Sequence, residues 1–267
     1  MTDHKTYTSA NKAAWDASAA AHEAGPGWQA LWQDVAQPGF SVLDATMTAT
    51  LQALEITGAR VVQVGCNNGR ELLSMPSLGA VPVLGIDQSQ AFLDQARRLA
   101  ARAGSECRFE CADIYDLPDD LPHDFDLAII TIGVLNWMPD LPRMLGEVAA
   151  LLAPGGRLVI YETHPVLEMV EPGADDPHAL TYSYFRKDPF VEEQAITYDG
   201  SDAGAAPASY WFIHTLGAIV TGCVQAGLVI ETLTEYPHSN REVDYDIYQG
   251  QDAQLPMCFT LVAKKLE

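Results

Sequence analysis

Positive charge is what this chain has least of. Fifteen Lys and Arg stand against 36 Asp and Glu in 267 residues, a formal net charge of -21. Holding a nucleic acid needs clustered cations that neutralise its phosphates, so no nucleic-acid partner is expected. Long apolar runs are also missing: no stretch approaches the roughly 20 residues of a spanning helix. The amino-terminal segment lacks the basic-then-apolar pattern of a secretory signal. No membrane partner and a cytoplasmic location follow as expectations. The five cysteines are odd in number and form no C-x-x-C pair. Cys66, Cys223 and Cys258 lie in or beside apolar segments and Cys107 and Cys111 flank a strand, the usage of reduced intracellular thiols. There is no G-x-S-x-G elbow to suggest a hydrolase. Asp175, Asp176 and His178 look like a ligand group, but Gly173 and Pro177 mark a solvated turn. No required metal is expected.

What is present centres on Val61-Val-Gln-Val-Gly-Cys-Asn-Asn-Gly-Arg-Glu71, a short apolar strand running into a Gly-bracketed turn and then a polar helix start. Twenty-two residues after Gly65, Asp87 closes a second strand, Val83-Leu-Gly-Ile-Asp87. A doubly wound sheet binds its ligand at the carboxyl ends of its strands, so this turn and this acid bracket one crevice, suited to a nucleoside cofactor. A dinucleotide fingerprint needs G-x-G-x-x-G to seat a pyrophosphate on a helix N-terminus. Here the run reads G-C-N-N-G-R, with Asn67 and Arg70 at the second and third glycine positions. The pyrophosphate cradle is missing, and a nicotinamide oxidoreductase is disfavoured.

Over roughly residues 55–165 the sequence resembles the class I S-adenosylmethionine-dependent methyltransferases, whose first motif is a strand followed by G-x-G-x-G. Gly65 and Gly69 keep its outer glycines and Asn67 replaces the middle one. Asn is the non-glycine residue best tolerated at positive φ, so Asn67 can keep the turn and offer an amide to the methionine end of the cofactor. The resemblance implies that Asp87, in Gly-Ile-Asp-Gln88-Ser, holds the ribose hydroxyls. It also implies that Asp113 accepts from the adenine amino group and that Ile114 offers a backbone amide. Phe125-Asp-Leu-Ala-Ile-Ile-Thr131 reads as a buried parallel strand and leads into Ile132-Gly-Val-Leu-Asn-Trp137. An amphipathic helix over Leu141 to Leu152, Ala-Pro-Gly-Gly and the strand Arg157 to Glu162 complete a set whose order is more specific than any one member. S-adenosylmethionine is the implied cofactor, with Gly65, Cys66, Asn67, Asn68, Gly69, Asp87, Gln88, Asp113, Ile114, Ile132 and Trp15 around it. DNA-methylating members carry an N-P-P-Y loop, whereas this chain has Leu135-Asn-Trp-Met-Pro139. A small-molecule acceptor is implied.

The expected fold is α/β: a Rossmann-like seven-stranded, mostly parallel sheet with helices on both faces, an N-terminal helical lid and an antiparallel insertion after the fifth strand. One domain of this length is the default. Residues 1–50 would be the lid, 55–165 the cofactor-binding core, 166–213 the substrate-covering insertion and 214–267 a C-terminal helix and strands. In the Ala-rich tract Asn11, Trp15, Ala19 and His22 share a helix face, which either packs on the sheet edge or closes over the cofactor. Between Glu162 and Thr215 the chain spends about fifty residues, too many for an unstructured loop. Thr181 to Phe185, Val191 to Tyr198 and Ser209 to Ile213 are aromatic and β-branched enough to be its strands. A helix from Leu216 to Ala226 capped by Gly227, a strand Leu228 to Glu235 and a closing strand Met257 to Ala263 follow.

Methyl transfer from a sulfonium is an in-line displacement, so alignment supplies much of the acceleration and catalytic residues can be few. A histidine suits the base that a hydroxyl or ammonium acceptor would use. His164 follows the fifth strand, fixed by its Thr-His-Pro context; it is either that base or a structural histidine. His214 is the second candidate, facing the pocket or capping a turn, and His238 reads as a loop residue. Asn136, Trp137, Tyr184 and Trp211 are the candidate substrate contacts, and pocket-lining aromatics would favour a planar or cationic acceptor. The resulting expectation is methyl transfer to an oxygen or nitrogen of a small metabolite. The alternative is an S-adenosylmethionine-binding protein with a non-methylating activity. A homodimer is compatible with either.

Overall fold

A parallel strand covered on both faces must be apolar on both, and the central strands here meet that condition. In the computed structural model, which describes residues 4–197, 204–240 and 242–266, β4 (Phe125–Thr131) and β5 (Leu152–Thr163) lie beside β1 (Arg60–Val64). β2 (Val81–Asp87) and β3 (Arg108–Cys111) extend the sheet on one side, and β8 (Leu228–Tyr236) and β9 (Cys258–Lys265) on the other. The order is β3-β2-β1-β4-β5-β9-β8, parallel except for β9, which runs antiparallel to both neighbours. Successive side chains serve opposite faces: Ala128, Ile130, Leu158 and Ile160 join one core, Leu127, Ile129, Val159 and Tyr161 the other.

The helices begin where side chains satisfy the free N–H groups of a first turn. Asp44 caps α3 (Ala45–Ala53), Ser89 caps α4 (Gln90–Ala103), Asp140 caps α5 (Leu141–Leu151) and Thr215 caps α6 (Leu216–Gln225). Ahead of them, α1 (His4–Ala24) starts well before the Ala-rich tract, and α2 (Pro26–Asp34) follows it. The polar start after β1 does not open an α-helix. A 3-10 helix, Leu72–Leu78, takes its place, because Pro76 lacks the N–H that an α-helical ladder needs.

The insertion is an antiparallel pair, β6 (Phe190–Gln194) and β7 (Ala205–Trp211). Thr181 to Phe185 is not one of its strands; turns occupy that segment. Tyr198 lies outside the described residues. α1 packs against β7, so the first and the inserted elements meet over the carboxyl edge of the sheet. That edge holds the topological switch, where the chain leaves β1 in one direction and returns to β4 in the other, the place where a doubly wound sheet opens a crevice.

Candidate active site

The turn after β1 is left-handed at three positions: Gly65 (φ 66°), Asn67 (φ 50°) and Gly69 (φ 74°). Glycine is required at the outer two by packing as well, since a Cβ on Gly65 would lie 2.6 Å from Val134 and one on Gly69 2.7 Å from Phe109. Asn67 turns its side-chain oxygen onto the Asn68 N–H at 2.8 Å, which closes the loop and spends that oxygen locally. The Asn67 N–H donates to Asp87 Oδ2 at 2.8 Å, and the Ser89 N–H donates to Oδ1 at 2.8 Å. Burial raises the Asp87 pKa, opposed by those two N–H groups.

These residues border a cavity of about 540 Å³, within the usual range for a small-molecule site. Gly65, Cys66, Asn67, Asp87, Gln88, Asp113, Ile114 and Ile132 line it, as does Trp15 from α1. Asn68 and Gly69 do not. Asn68 is buried beneath the turn and Gly69 packs on Phe109, so both shape the loop. Asp113 accepts from the Thr8 hydroxyl at 2.6 Å and from the Tyr115 N–H at 3.1 Å, tying α1 to the loop after β3. An acid at the end of β2, another after β3 and a left-handed turn between strand and crevice fit the ribose, adenine and methionine parts of S-adenosylmethionine.

Beyond Gly133 the cavity wall becomes aromatic. Trp137 and Trp211 meet edge to face, 4.8 Å between centroids, and Trp15 packs edge-on to Trp137 at 5.4 Å. Two buried carboxylates support this region. Glu162, at the end of β5, accepts from the N–H groups of Gly133, Leu135 and Thr163, and burial pushes its pKa up to about 8. Glu168 lies in the 3-10 helix Pro165–Met169, only 5% exposed, and accepts from Trp211 Nε1 and Asn136 Nδ2, both at 2.9 Å. Burial pushes its pKa up to about 7.

Both histidine candidates sit elsewhere. The main chain at His164 is still paired to the β9 side, its N–H donating to Met257 O at 2.9 Å, so its ring turns onto Phe259 and β8. There Nδ1 accepts from the Val166 N–H and Nε2 lies 2.8 Å from Glu235 Oε1. Burial lowers its pKa, and the Glu235 charge opposes that. His214 donates from Nε2 to Met138 O at 2.8 Å and stacks on Phe212; neither histidine lines the cavity. Tyr184 is likewise removed: its hydroxyl accepts from the Leu216 N–H at the start of α6. Asn136 holds Glu168 without lining the cavity, whereas Trp137 and Trp211 line it. Sequence reasoning passed over Glu168, Thr8 and Tyr245, all on the cavity wall. For Glu168 a signal existed, a lone carboxylate inside the apolar run Pro165-Val-Leu-Glu-Met169.

The fold is shared with solved S-adenosylmethionine-dependent methyltransferases, and the part of the chain that carries the crevice is similar to a methyltransferase domain. Residues 61–156 match the family model described as "Methyltransferase domain". The ubiquinone biosynthesis O-methyltransferase of Coxiella burnetii is 34% identical over 107 residues, 40% of this chain and 44% of that protein. The match thus spans less than half the length of this relative. An S-adenosylmethionine-dependent methyltransferase of Mesorhizobium loti has the same fold, with a TM-score of 0.55 and 23% identity over 83% of this chain and 98% of that one. So does the 4+2 cyclase SpnF, with a TM-score of 0.55 and 20% identity over 90% of this chain and 92% of that one.

Proposed function

We propose that this protein transfers the methyl group of S-adenosylmethionine to a nitrogen or oxygen of a small metabolite held between α1, the β6–β7 hairpin and the carboxyl edge of the sheet. One observation carries the reading: a single cavity joins the Gly65–Asp87–Asp113 crevice to the Trp137–Trp211 wall. The cofactor, when bound, supplies a methyl on a sulfonium leaving group. In this reading Asp87 takes the ribose hydroxyls on lone pairs left free by the Asn67 and Ser89 N–H groups. Asp113 takes the adenine amino group, and the turn at Asn67 seats the methionine end. α1 acts as the lid, held at Thr8 and lined by Trp15.

Acidity of the whole chain supports a small acceptor over nucleic acid and a cytoplasmic site of action is in keeping with its unpaired cysteines. Among the described residues no helix is long and apolar enough to cross a membrane. The test is calorimetry with S-adenosylhomocysteine, followed by incubation with methyl-labelled cofactor and fractionated metabolite pools. Micromolar binding and one labelled product are expected. A second reading, cofactor binding with non-methylating chemistry, draws on the fold shared with the 4+2 cyclase and on the independence of fold and function. It predicts the same binding and no labelled product.

A further inference from the structure

Opposite the cofactor crevice the cavity gathers carboxylates from three separate stretches: Glu168 and Glu171 after β5, Glu192 on β6, and Glu242 and Asp244 at the start of the 3-10 helix Val243–Tyr248. They act on one another, for Glu192 is exposed on β6 yet partly desolvated by the cavity, which raises its pKa, and the charges of Glu171 and Asp244 raise it further. Gathering like charges around a cavity disfavours an anionic occupant and favours a cation. The rings on this side supply the complementary face, since Trp137, Trp211 and Tyr245 line the same chamber and aromatic faces attract cations. Among the described residues Arg70 is the one Lys or Arg on the cavity wall, and it stands at the cofactor end, paired with Glu71 at 2.9 Å. Arg186 is nearby but spent: its guanidinium lies 4.1 Å from the Phe190 ring centroid and donates to the carbonyls of Asp188 and Pro189.

Building on the methyltransferase reading, we propose that the methyl acceptor is a protonated amine, held with its nitrogen against the Glu168 carboxylate by the Trp137, Trp211 and Tyr245 rings. The ammonium R–NH3+ gives one proton to Glu168 and so exposes a nitrogen lone pair. That pair forms the bond to the methyl carbon while the methyl–sulfur bond breaks, its electrons staying on sulfur as a neutral thioether. The product leaves as R–NH2+–CH3, and Glu168 releases its proton to water. The acids around this end of the cavity balance the positive charge that enters with the amine and remains on the product.

The test uses the S-adenosylhomocysteine complex of the full chain and a charged–neutral pair of one shape, choline and 3,3-dimethylbutan-1-ol, read by tryptophan fluorescence and calorimetry. A parallel panel of primary and secondary amines, with matching alcohols and phenols, receives methyl-labelled cofactor. Choline should bind at least tenfold more tightly than its neutral isostere, and label should enter amines. Glu168→Gln and, on the solvent side where folding is not at stake, Glu192→Gln should each weaken choline binding severalfold and leave S-adenosylhomocysteine affinity within twofold. Equal binding of the pair, or label entering alcohols or phenols in preference to amines, would overturn the inference and leave the methyltransferase reading standing. Failure of the wild-type chain to bind S-adenosylhomocysteine would instead overturn that reading, and the inference with it.

Discussion

A carboxylate that keeps one lone pair per oxygen for a ligand is a specific arrangement, and Asp87 has it: each oxygen already takes one backbone N–H at 2.8 Å. Asp87→Ala removes the tie that fixes the Asn67 turn and, in the proposed reading, the ribose contacts as well. Losing a charge-assisted pair costs roughly 1.5 to 3 kcal/mol, so calorimetry should find S-adenosylhomocysteine binding weakened about ten- to a hundredfold; unchanged affinity would remove Asp87 from the site. Asn67, at φ 50°, sets up a contrast. Asn67→Gly should hold cofactor affinity near wild type, while Asn67→Val should lose affinity through strain of about 1 to 3 kcal/mol. Equal affinities for the two would contradict the left-handed turn. Both residues were legible in the sequence because strand-end spacing and positive-φ tolerance are local properties. His164 was not. The position predicted a base at the crevice, but ring direction depends on which strand its backbone pairs with, and pairing to β9 across 93 residues is a long-range fact. His164→Ala should therefore lower thermal stability by leaving the Val166 N–H and Glu235 without their partner, with turnover per folded molecule close to wild type.

Among the elements, α1 is tied to the rest of the molecule by polar contacts at successive turns. Thr8 donates to Asp113 after β3, Asn11 bonds both ways with the Tyr210 backbone of β7 and donates to Trp137 O, and Asp16 accepts from Ser89 at the start of α4. Asn11 is fully buried, so its amide is exchanged for no water contact when those bonds are lost. One substitution should consequently loosen α1 from both the hairpin and the tryptophan wall. Asn11→Ala leaves the Tyr210 N–H unsatisfied, a cost of about 1 to 3 kcal/mol, and hydrogen exchange in α1 and β7 should quicken by about tenfold or more while the β1–β4–β5 core stays protected. Uniform exchange across the chain would show that α1 is not a separable lid. The helical face holding Asn11 and Trp15 could be read from residue spacing. Its docking site could not, because β7 arrives some 200 positions later and nothing local specifies that meeting. The strands at the sheet centre were the easiest elements to read, their apolar runs being a direct consequence of burial on both faces. In the insertion, aromatic composition marked β6 and β7 but also Thr181 to Phe185, where Tyr184 serves to receive the Leu216 N–H instead of pairing in a sheet.

For the molecule as a whole, the balance of buried acids against buried histidines sets how stability changes with pH. Glu162 and Glu168 have folded pKa values pushed to about 8 and about 7 by burial, against an ordinary value near 4.5. Between about pH 4.5 and those values the folded state holds protons that the unfolded chain has lost, so these groups make stability fall as pH rises. His164 and His214 act in the opposite sense. Burial lowers their pKa values, so the unfolded chain binds the extra protons below its ordinary value of about 6.5 and their contribution falls as pH is lowered. The thiols of Cys107 and Cys258, raised to about 12 and about 11, enter only in alkali. Between pH 6.5 and 8 the two carboxylates therefore dominate this set, and together they should lower the unfolding free energy by about 2 kcal/mol across that interval. Urea unfolding at half-unit steps of pH would measure it. Glu162→Gln keeps one oxygen for the Gly133 and Thr163 N–H groups, sets its amide nitrogen against the Leu135 N–H at some cost in stability, and cannot ionise, so it should remove the larger part of the slope. A wild-type curve already flat from pH 6.5 to 8 would mean that both carboxylates remain ionised within the fold, with the N–H donors around Glu162 outweighing its burial.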